Sequence, residues 1–553
     1  MRFDFSRSLR ACTLAVLFFA ATVDATTLRM SLSDDATTLD PHVANLAINN
    51  RLLANIYESL VRRDKDFNIA PALAVSWTQP DARTWRFKLR PDVKFHDGSA
   101  FTADDVVFTV ARVLHPLSNM KWTVQGVASA RKVDDLTVDL VMAEPNPVLL
   151  LHLTSLGIMS KAWSAKHGVS TPQNYNDSQE TYAVRHANGT GPFMVTSRAL
   201  DVKTVLTEHK LWWNRSAPER GNVTVVEWLP IKSNSTRIAA LLTGSVDIVP
   251  DPPVQDRERL KNLPTTKLQV GSEPRTVFLA LDQFRDELQY SNVKGKNPFK
   301  DLRVRQAMAH AIDANLLIEK VLRGYGRPTG LMVGQEVQGY AADIDKRLPY
   351  DVPRAKKLMA EAGYANGFEV TFDCASQTPF SELCQGIGPM LAAIGIRLKM
   401  NVISFAQIFQ KIDKNDTSGL VMGYGASTVD AHAVMKTLLG STRGKGDIGA
   451  TGAKAGKAAK GGKLGEAAME SGAGDSNWGR YSNAKFDDLL AQSGREPDNT
   501  KRNQLLREAL ILQRDDLALI PLYQVKVAWA MRKNIEAPYL PNNIPYFYRF
   551  NVR

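Results

Sequence analysis

Two periodicities of apolar residues alternate along this chain. In "NNRLLANIYESLVRRD", Leu52, Leu53, Ile56, Tyr57 and Leu60 recur at the spacing of one helix face, which predicts a helix. "TWRFKLR" then alternates, with Trp85, Phe87 and Leu89 on one side and Thr84, Arg86 and Lys88 on the other, the pattern of a half-buried strand. In "FTADDVVFTVARVLHP", Val106, Val107, Val110, Val113 and Leu114 form a stripe behind a Thr102/Asp105 capping box, and Pro116 stops the helix.

The same grammar continues. "LTVDLVM" and "NVTVVEW" alternate as strands. "NSTRIAALLTGSVDIVP" predicts a helix, a stop at Gly244 and a strand over 246–249. "DLRVRQAMAHAIDANLLIEKVLRG" reads as helix to Gly324. "DVPRAKKLMAEAGY" starts with a proline in its first turn and ends at Gly363. "LAAIGIRLKMNVI" is a helix end, a glycine and a strand, and "NTKRNQLLREALILQRDDLALIPLYQ" is a long helix followed by a strand. Interleaved helices and strands joined at glycines predict an α/β chain with mixed sheets and more than one lobe.

One segment breaks this texture. From about 441 to 476 the chain turns to Gly, Ala, Lys and Ser, including "KAGKAAKGGK", with no aromatic residue. It is too poor in apolar side chains to offset its own ordering entropy and reads as a flexible, solvated loop. "GKGDIG" at 444–449 matches the bare pattern of a dinucleotide loop but follows no strand, so it carries no cofactor assignment.

The N-terminus is a segment of a different kind. Arg2, Arg7 and Arg10 precede an apolar run, and Val23 and Ala25 occupy the small-residue positions of a cleavage site. The run is shorter than the roughly 20 residues a membrane-spanning helix needs. Residues 1–25 therefore read as a secretory signal peptide cut after Ala25, which predicts a periplasmic mature chain.

The whole chain has 553 residues and a net charge of +12, mild for its length, so anionic partners are permitted rather than demanded. A 44% hydrophobic content supports a sizeable core. Beyond the signal segment the cysteines are Cys374 and Cys384, and in an oxidising compartment a disulfide across this short loop is the preferred reading, with two buried thiols as the alternative. No nucleophile elbow, zinc-binding helix motif or Cys-x-x-Cys pair is present, and the nine histidines are scattered without metal-ligand spacing. His96, in "KFHDG", reads as a structural turn residue. The Lys-rich stretch has no interleaved aromatics on which bases could stack, so no nucleic-acid partner is expected.

Several stretches acquire meaning from their order: "LDPH", then the block from Ile56 to Leu114, then "GTGPF", "LWWN", "RIAALLTGSVDIV", "DLRVRQAMAHAID", "AGYANGFEV", "NWGRYSNAKFDDLL" and "LIPLYQ". This series resembles the extracytoplasmic solute-binding proteins of ABC importers, in the family that binds peptides, nickel complexes and opines. The resemblance implies a two-lobed periplasmic-binding-protein fold, mixed sheets flanked by helices, with an extra sub-domain inserted in the first lobe. The first lobe would span 26–274 with the insertion at about 50–187. The second would span 275–521 and include the 441–476 loop, and 522–553 would return to the first. The crossings would fall near Arg275 and "IPLYQ".

The resemblance also implies a function: capture of a peptide-like or other small polar solute in the interlobe cleft, and delivery to inner-membrane ABC permease subunits by a monomer that breaks no bond and needs no cofactor. Opine, glutathione-like and metal-chelate solutes are alternatives, the last weakened because His432 alone lies near the implied pocket. A nucleic-acid or surface-binding role through the Lys-rich loop is more distant. In peptide-binding relatives an acid of the second lobe pairs with the peptide amine. The matching stretch here is "MGYGASTVDAH", where Ser427 occupies the position of the dipeptide binders' acid and Asp430 is the next acid along. The implied ligand-binding residues are Tyr424, Ser427, Thr428 and Asp430, with Thr38 and Asp40 from the loop after the first strand, and Trp478 and Arg480 at the rim.

Overall fold

The computed structural model describes residues 25–441 and 474–553, except 176, 178, 427 and 475. The signal segment and most of the Lys-rich stretch lie outside the described residues. Among those described, one mixed sheet has 11 strands. From one edge its order is Ile396–Ile403, Phe368–Ala375, Gly419–Gly425, Thr266–Leu281, Ile520–Arg532, Ile248–Pro250, Thr27–Leu32, Val225–Pro230, Lys203–Glu208 and Phe193–Ala199, with Gly326–Pro328 added onto Ile520–Arg532.

Two long antiparallel strands, Thr266–Leu281 and Ile520–Arg532, join the two ends of this sheet. Their apolar residues divide between two sets of cores. Phe278, Leu279, Ile520 and Leu522 pack with clusters drawn from residues 277–523. Trp529 and Met531 pack with clusters drawn from residues 28–260 and 529–550. Burial on either side of one strand pair is the physical content of the two lobes. Between them the ladder slips: Thr266 to Ser272 pair in register, and pairing resumes at Thr276. Glu273, Pro274 and Arg275 are thus unpaired with Ile520–Arg532, which locally bends the strand, while Arg275 still pairs with Gly425 on the other side.

A separate four-stranded antiparallel sheet, in the order Ala74–Asp81, Thr84–Leu89, Thr137–Met142, Val127–Asp134, packs with the helix Ala103–Leu114 over its own apolar cluster. The predicted Thr102/Asp105 capping box is formed. The left-handed Gly244 ends the helix Asn234–Thr243, as its position predicts. Cys374 and Cys384 form a disulfide linking a strand to the helix Phe380–Ala392.

The predicted helix over "NNRLLANIYESLVRRD" is corrected. A helix covers only Ala47–Leu53, and Val61–Arg63 is a strand. The carbonyls that would extend the helix are taken from elsewhere: Gly191 N–H donates to Ile56 O and Phe193 N–H to Asn55 O. A Cβ on Gly189 would stand 2.0 Å from Ile56 O, so this joint requires a bare backbone. Leu52, Leu53, Ile56, Tyr57 and Leu60 are nonetheless all buried. The apolar pattern reported burial correctly, and tertiary contacts chose the conformation.

Candidate solute-binding cleft

The slipped segment of the strand Thr266–Leu281 opens onto a cavity of about 350 Å3, within the usual size of small-molecule sites. Glu273, Pro274 and Arg275 form part of its wall. Opposite them stand Gly425 and Ala426, then Glu58, Ser59, Val61, Arg62 and Arg63, then Trp212 to Asn214, and residues of the C-terminal segment including Asn542, Tyr546 and Tyr548. Backbone pairing sets this meeting: Arg275 is opposite Gly425, and Ala426 N–H donates to Pro274 O at 2.7 Å.

The cavity wall carries charge in pairs. Arg275 lies 3.2 Å from Glu273, whose carboxylate holds the guanidinium pKa up. Arg51 lies 2.6 Å from Asp251 and Arg62 lies 3.0 Å from Glu219. Glu58 instead accepts from two indoles, Trp212 Nε1 at 3.0 Å and Trp213 Nε1 at 3.0 and 3.1 Å. Burial pushes the Glu58 carboxyl up to about 7, against the opposing pull of those donors and of Arg62. Trp213 in turn lies under the Arg90 guanidinium, 3.8 Å from ring centre.

The residues implied by the family resemblance sit elsewhere. Thr38 and Asp40 are buried, between the loop after the first strand and the helix Ala103–Leu114 that carries Arg112. Asp40 accepts from Arg112 at 2.6 and 2.8 Å, and Thr38 Oγ1 accepts from Asp40 N–H. Burial alone would raise the Asp40 carboxyl, but Arg112 holds it below the usual range. Asp430 is closed by Arg502 and caps the helix Ala431–Leu439. Tyr424 packs against the second-lobe core and Thr428 is buried. Trp478 stacks on Phe278 at 5.9 Å, and the Arg480 guanidinium sits over Phe284 at 4.9 Å. Ser427 lies outside the described residues.

None of the described members of that set lines the cavity, but their neighbours Pro41, Gly425, Ala426 and Val429 do. Of the residues implied by the resemblance, Asp40, Tyr424, Thr428 and Asp430 thus flank segments that line this cavity without lining it themselves. The sequence reading missed Glu58, Arg62, Arg63, Trp212, Trp213 and Glu273 as wall residues. The adjacent tryptophans of "LWWN", and an acid inside the apolar stretch "NIYESLV", were the available signals.

Among the described residues no group of His, Cys, Asp and Glu is arranged to hold a metal ion, and no helix is long and apolar enough to cross a membrane.

Residues 68–446 match the family model described as bacterial extracellular solute-binding proteins, family 5 Middle. Heme-binding protein A of Haemophilus influenzae is 28% identical over 503 residues, 84% of this chain and 81% of that protein. Glutathione-binding protein GsiB of Escherichia coli K12 is 24% identical over 515 residues, 92% of this chain and 90% of that protein. Among solved structures, the periplasmic binding protein DppA from Helicobacter pylori, in complex with peptide STSA, superposes with a TM-score of 0.74 at 23% identity, over 96% of this chain and 98% of that one.

Proposed function

Because this chain belongs to the bacterial extracellular solute-binding proteins of family 5, we propose that it captures a short peptide or a peptide-like polar solute for an ABC importer. The observation that carries this reading is the cavity at the slip in the hinge strand, walled by both lobes and by the C-terminal loop. A solute there touches both lobes at once. It therefore stabilises the form in which they are closed by its differential affinity for that form. The strand Thr266–Leu281 would act as one crossing and Ile520–Arg532 as the other, with the sub-domain centred on the four-stranded sheet supplying one wall.

Residues 1–25 direct export in this scheme, and the mature chain works as a monomer in the periplasm with inner-membrane permease subunits. Binding without bond cleavage fits a wall whose charged groups are mostly engaged with one another. A peptide-like solute is favoured over a metal chelate by the wall's make-up: arginines, carboxylates and indoles, with no histidine among the described lining residues. The named relatives bind heme, glutathione and a peptide, so glutathione-like solutes are the second reading.

The test is native mass spectrometry of the full chain purified from its own periplasmic extract. A co-purified mass that fragments as a short peptide is the expected result. A non-peptide mass overturns the peptide assignment, and a chain that carries no solute and binds none from a metabolite extract overturns the solute-binding reading for this cavity.

A further inference from the structure

Three guanidinium groups beside the cavity make no direct ion pair, unlike their neighbours, although Asp64, Glu58 and Glu219 act on Arg63, Arg90 and Arg549 from farther away. Arg51, Arg62 and Arg275 are each in an ion pair. Arg63, Arg90 and Arg549 are in none among the described residues. Arg90 is supported by the Trp213 face and by Ala72 O. Arg63 lines the cavity with its guanidinium 4.6 Å over the Phe67 ring and donates to Phe67 O at 2.9 Å. Loss of water around it pulls its pKa below the ordinary arginine value.

Arg549 is 4% exposed. Its Nε donates to Tyr548 Oη at 2.9 Å and its Nη2 to Arg63 O at 3.5 Å, while Nη1 has no hydrogen-bond partner. It lies against the rings of Tyr546 and Tyr548, both of which face the cavity. Two cations thus stand one behind the other at one end of the cleft, joined through Arg63's own carbonyl. Taking a cation out of water without a directly paired anion costs on the order of several kcal/mol. A site that keeps two is preorganised for an anion that arrives with the ligand, and the planar fork of arginine matches a carboxylate.

We propose that the solute presents a carboxylate to Arg63, with Arg549 reinforcing the positive field from behind the tyrosines. This rests on the solute-binding reading and specifies which chemical group points toward the inserted sub-domain. Arg63 is the specificity-determining residue of this end of the cleft, and Arg549 is a positioning residue that holds the Arg63 backbone and the Tyr548 hydroxyl.

The experiment is calorimetric titration of the full chain with alanine peptides of two to five residues, each as the free acid and as the C-terminal amide. The expected result is a preference for the free acid of roughly 10- to 100-fold, the scale of a hydrogen bond to a charged group. Arg63→Gln abolishes the preference while binding the amide as the wild type does, Arg63→Lys restores part of it, and Arg549→Gln weakens it. Unliganded thermal melts of the variants separate folding from recognition. Equal wild-type affinity for acid and amide, or a preference that survives in Arg63→Gln, overturns the proposal and leaves the solute-binding reading standing. If no alanine peptide binds, the solute named by native mass spectrometry is titrated as itself and as its methyl ester. A solute without a carboxylate, or one whose ester binds as tightly, overturns the proposal in the same way.

Discussion

Arg502 holds Asp430 through both carboxylate oxygens, Nη1 to Oδ2 and Nη2 to Oδ1, each at 2.9 Å, with both side chains almost completely buried. Arg502 Nε also donates to Ser493 O, and Asp430 Oδ1 accepts from Ala433 N–H at the start of its helix. The acid that sequence resemblance offered to a ligand amine is therefore occupied within the protein.

Breaking this pair leaves a buried charge without its partner. Arg502→Leu should lower unfolding stability by roughly 3–5 kcal/mol. Asp430→Asn combined with Arg502→Leu should recover more than half of that loss, because the uncompensated charge is gone. Chemical denaturation of the two variants checks this; a double variant no more stable than the single one would show that packing, not charge, sets the cost.

Glu58 should give the cleft a pH response. Its folded-state pKa of about 7 lies above the ordinary 4.5, so its contribution to stability is fully present below about 4.5 and is lost as pH rises to about 7. The loss is on the order of 3 kcal/mol at most. The difference in urea midpoint between wild type and Glu58→Gln should change across that window and be flat above it. Trp212 and Trp213 donate directly to this carboxyl. A fluorescence titration should accordingly show a midpoint near neutrality that is missing from the Glu58→Gln variant.

The disulfide closes a sequence separation of 10 residues between a strand and the helix that follows it. Replacing Cys374 and Cys384 together by alanine should destabilise the chain by roughly 2–3 kcal/mol, chiefly by enlarging the unfolded ensemble. Calorimetric melts of the oxidised, reduced and doubly substituted protein should place the last two together and both below the first. Coincident melts for all three would contradict this.

The segment from 442 to 473 can be excised at a defined point. Gly440 N–H and Gly474 N–H both donate to Lys436 O, at 3.1 and 2.8 Å, so the chain leaves and returns at one carbonyl. Replacing 442–473 by a four-residue Gly/Ser linker shortens the loop by about three doublings, worth at most roughly 2 kcal/mol in the stabilising direction. The solute that co-purifies with the full chain should bind the shortened chain with unchanged affinity. A large loss of affinity in a chain that melts normally would assign the Lys-rich stretch to the cleft.

Much of the local architecture was legible from the residues. The capping box at Thr102 and Asp105, the glycine stop at Gly244 and the helix–strand pair at the C-terminal end depend on neighbours in sequence, and each formed as patterned. Arg275 and "IPLYQ", where the family series puts the crossings, lie in the two long paired strands Thr266–Leu281 and Ile520–Arg532.

What the sequence determined by itself is what is set by a few adjacent side chains: burial, period, caps and membership of a family. The tertiary structure decided the rest because it depends on partners far apart in the chain. Ile56 leaves the helix because the Gly191 amide, 135 positions away, claims its carbonyl. Asp430 is withdrawn into the core by Arg502, and Glu58 faces the cleft because the indoles of Trp212 and Trp213 hold it there. An isolated acid reads the same in sequence whether it awaits a ligand or answers an arginine, and only the position of the distant partner tells the two apart.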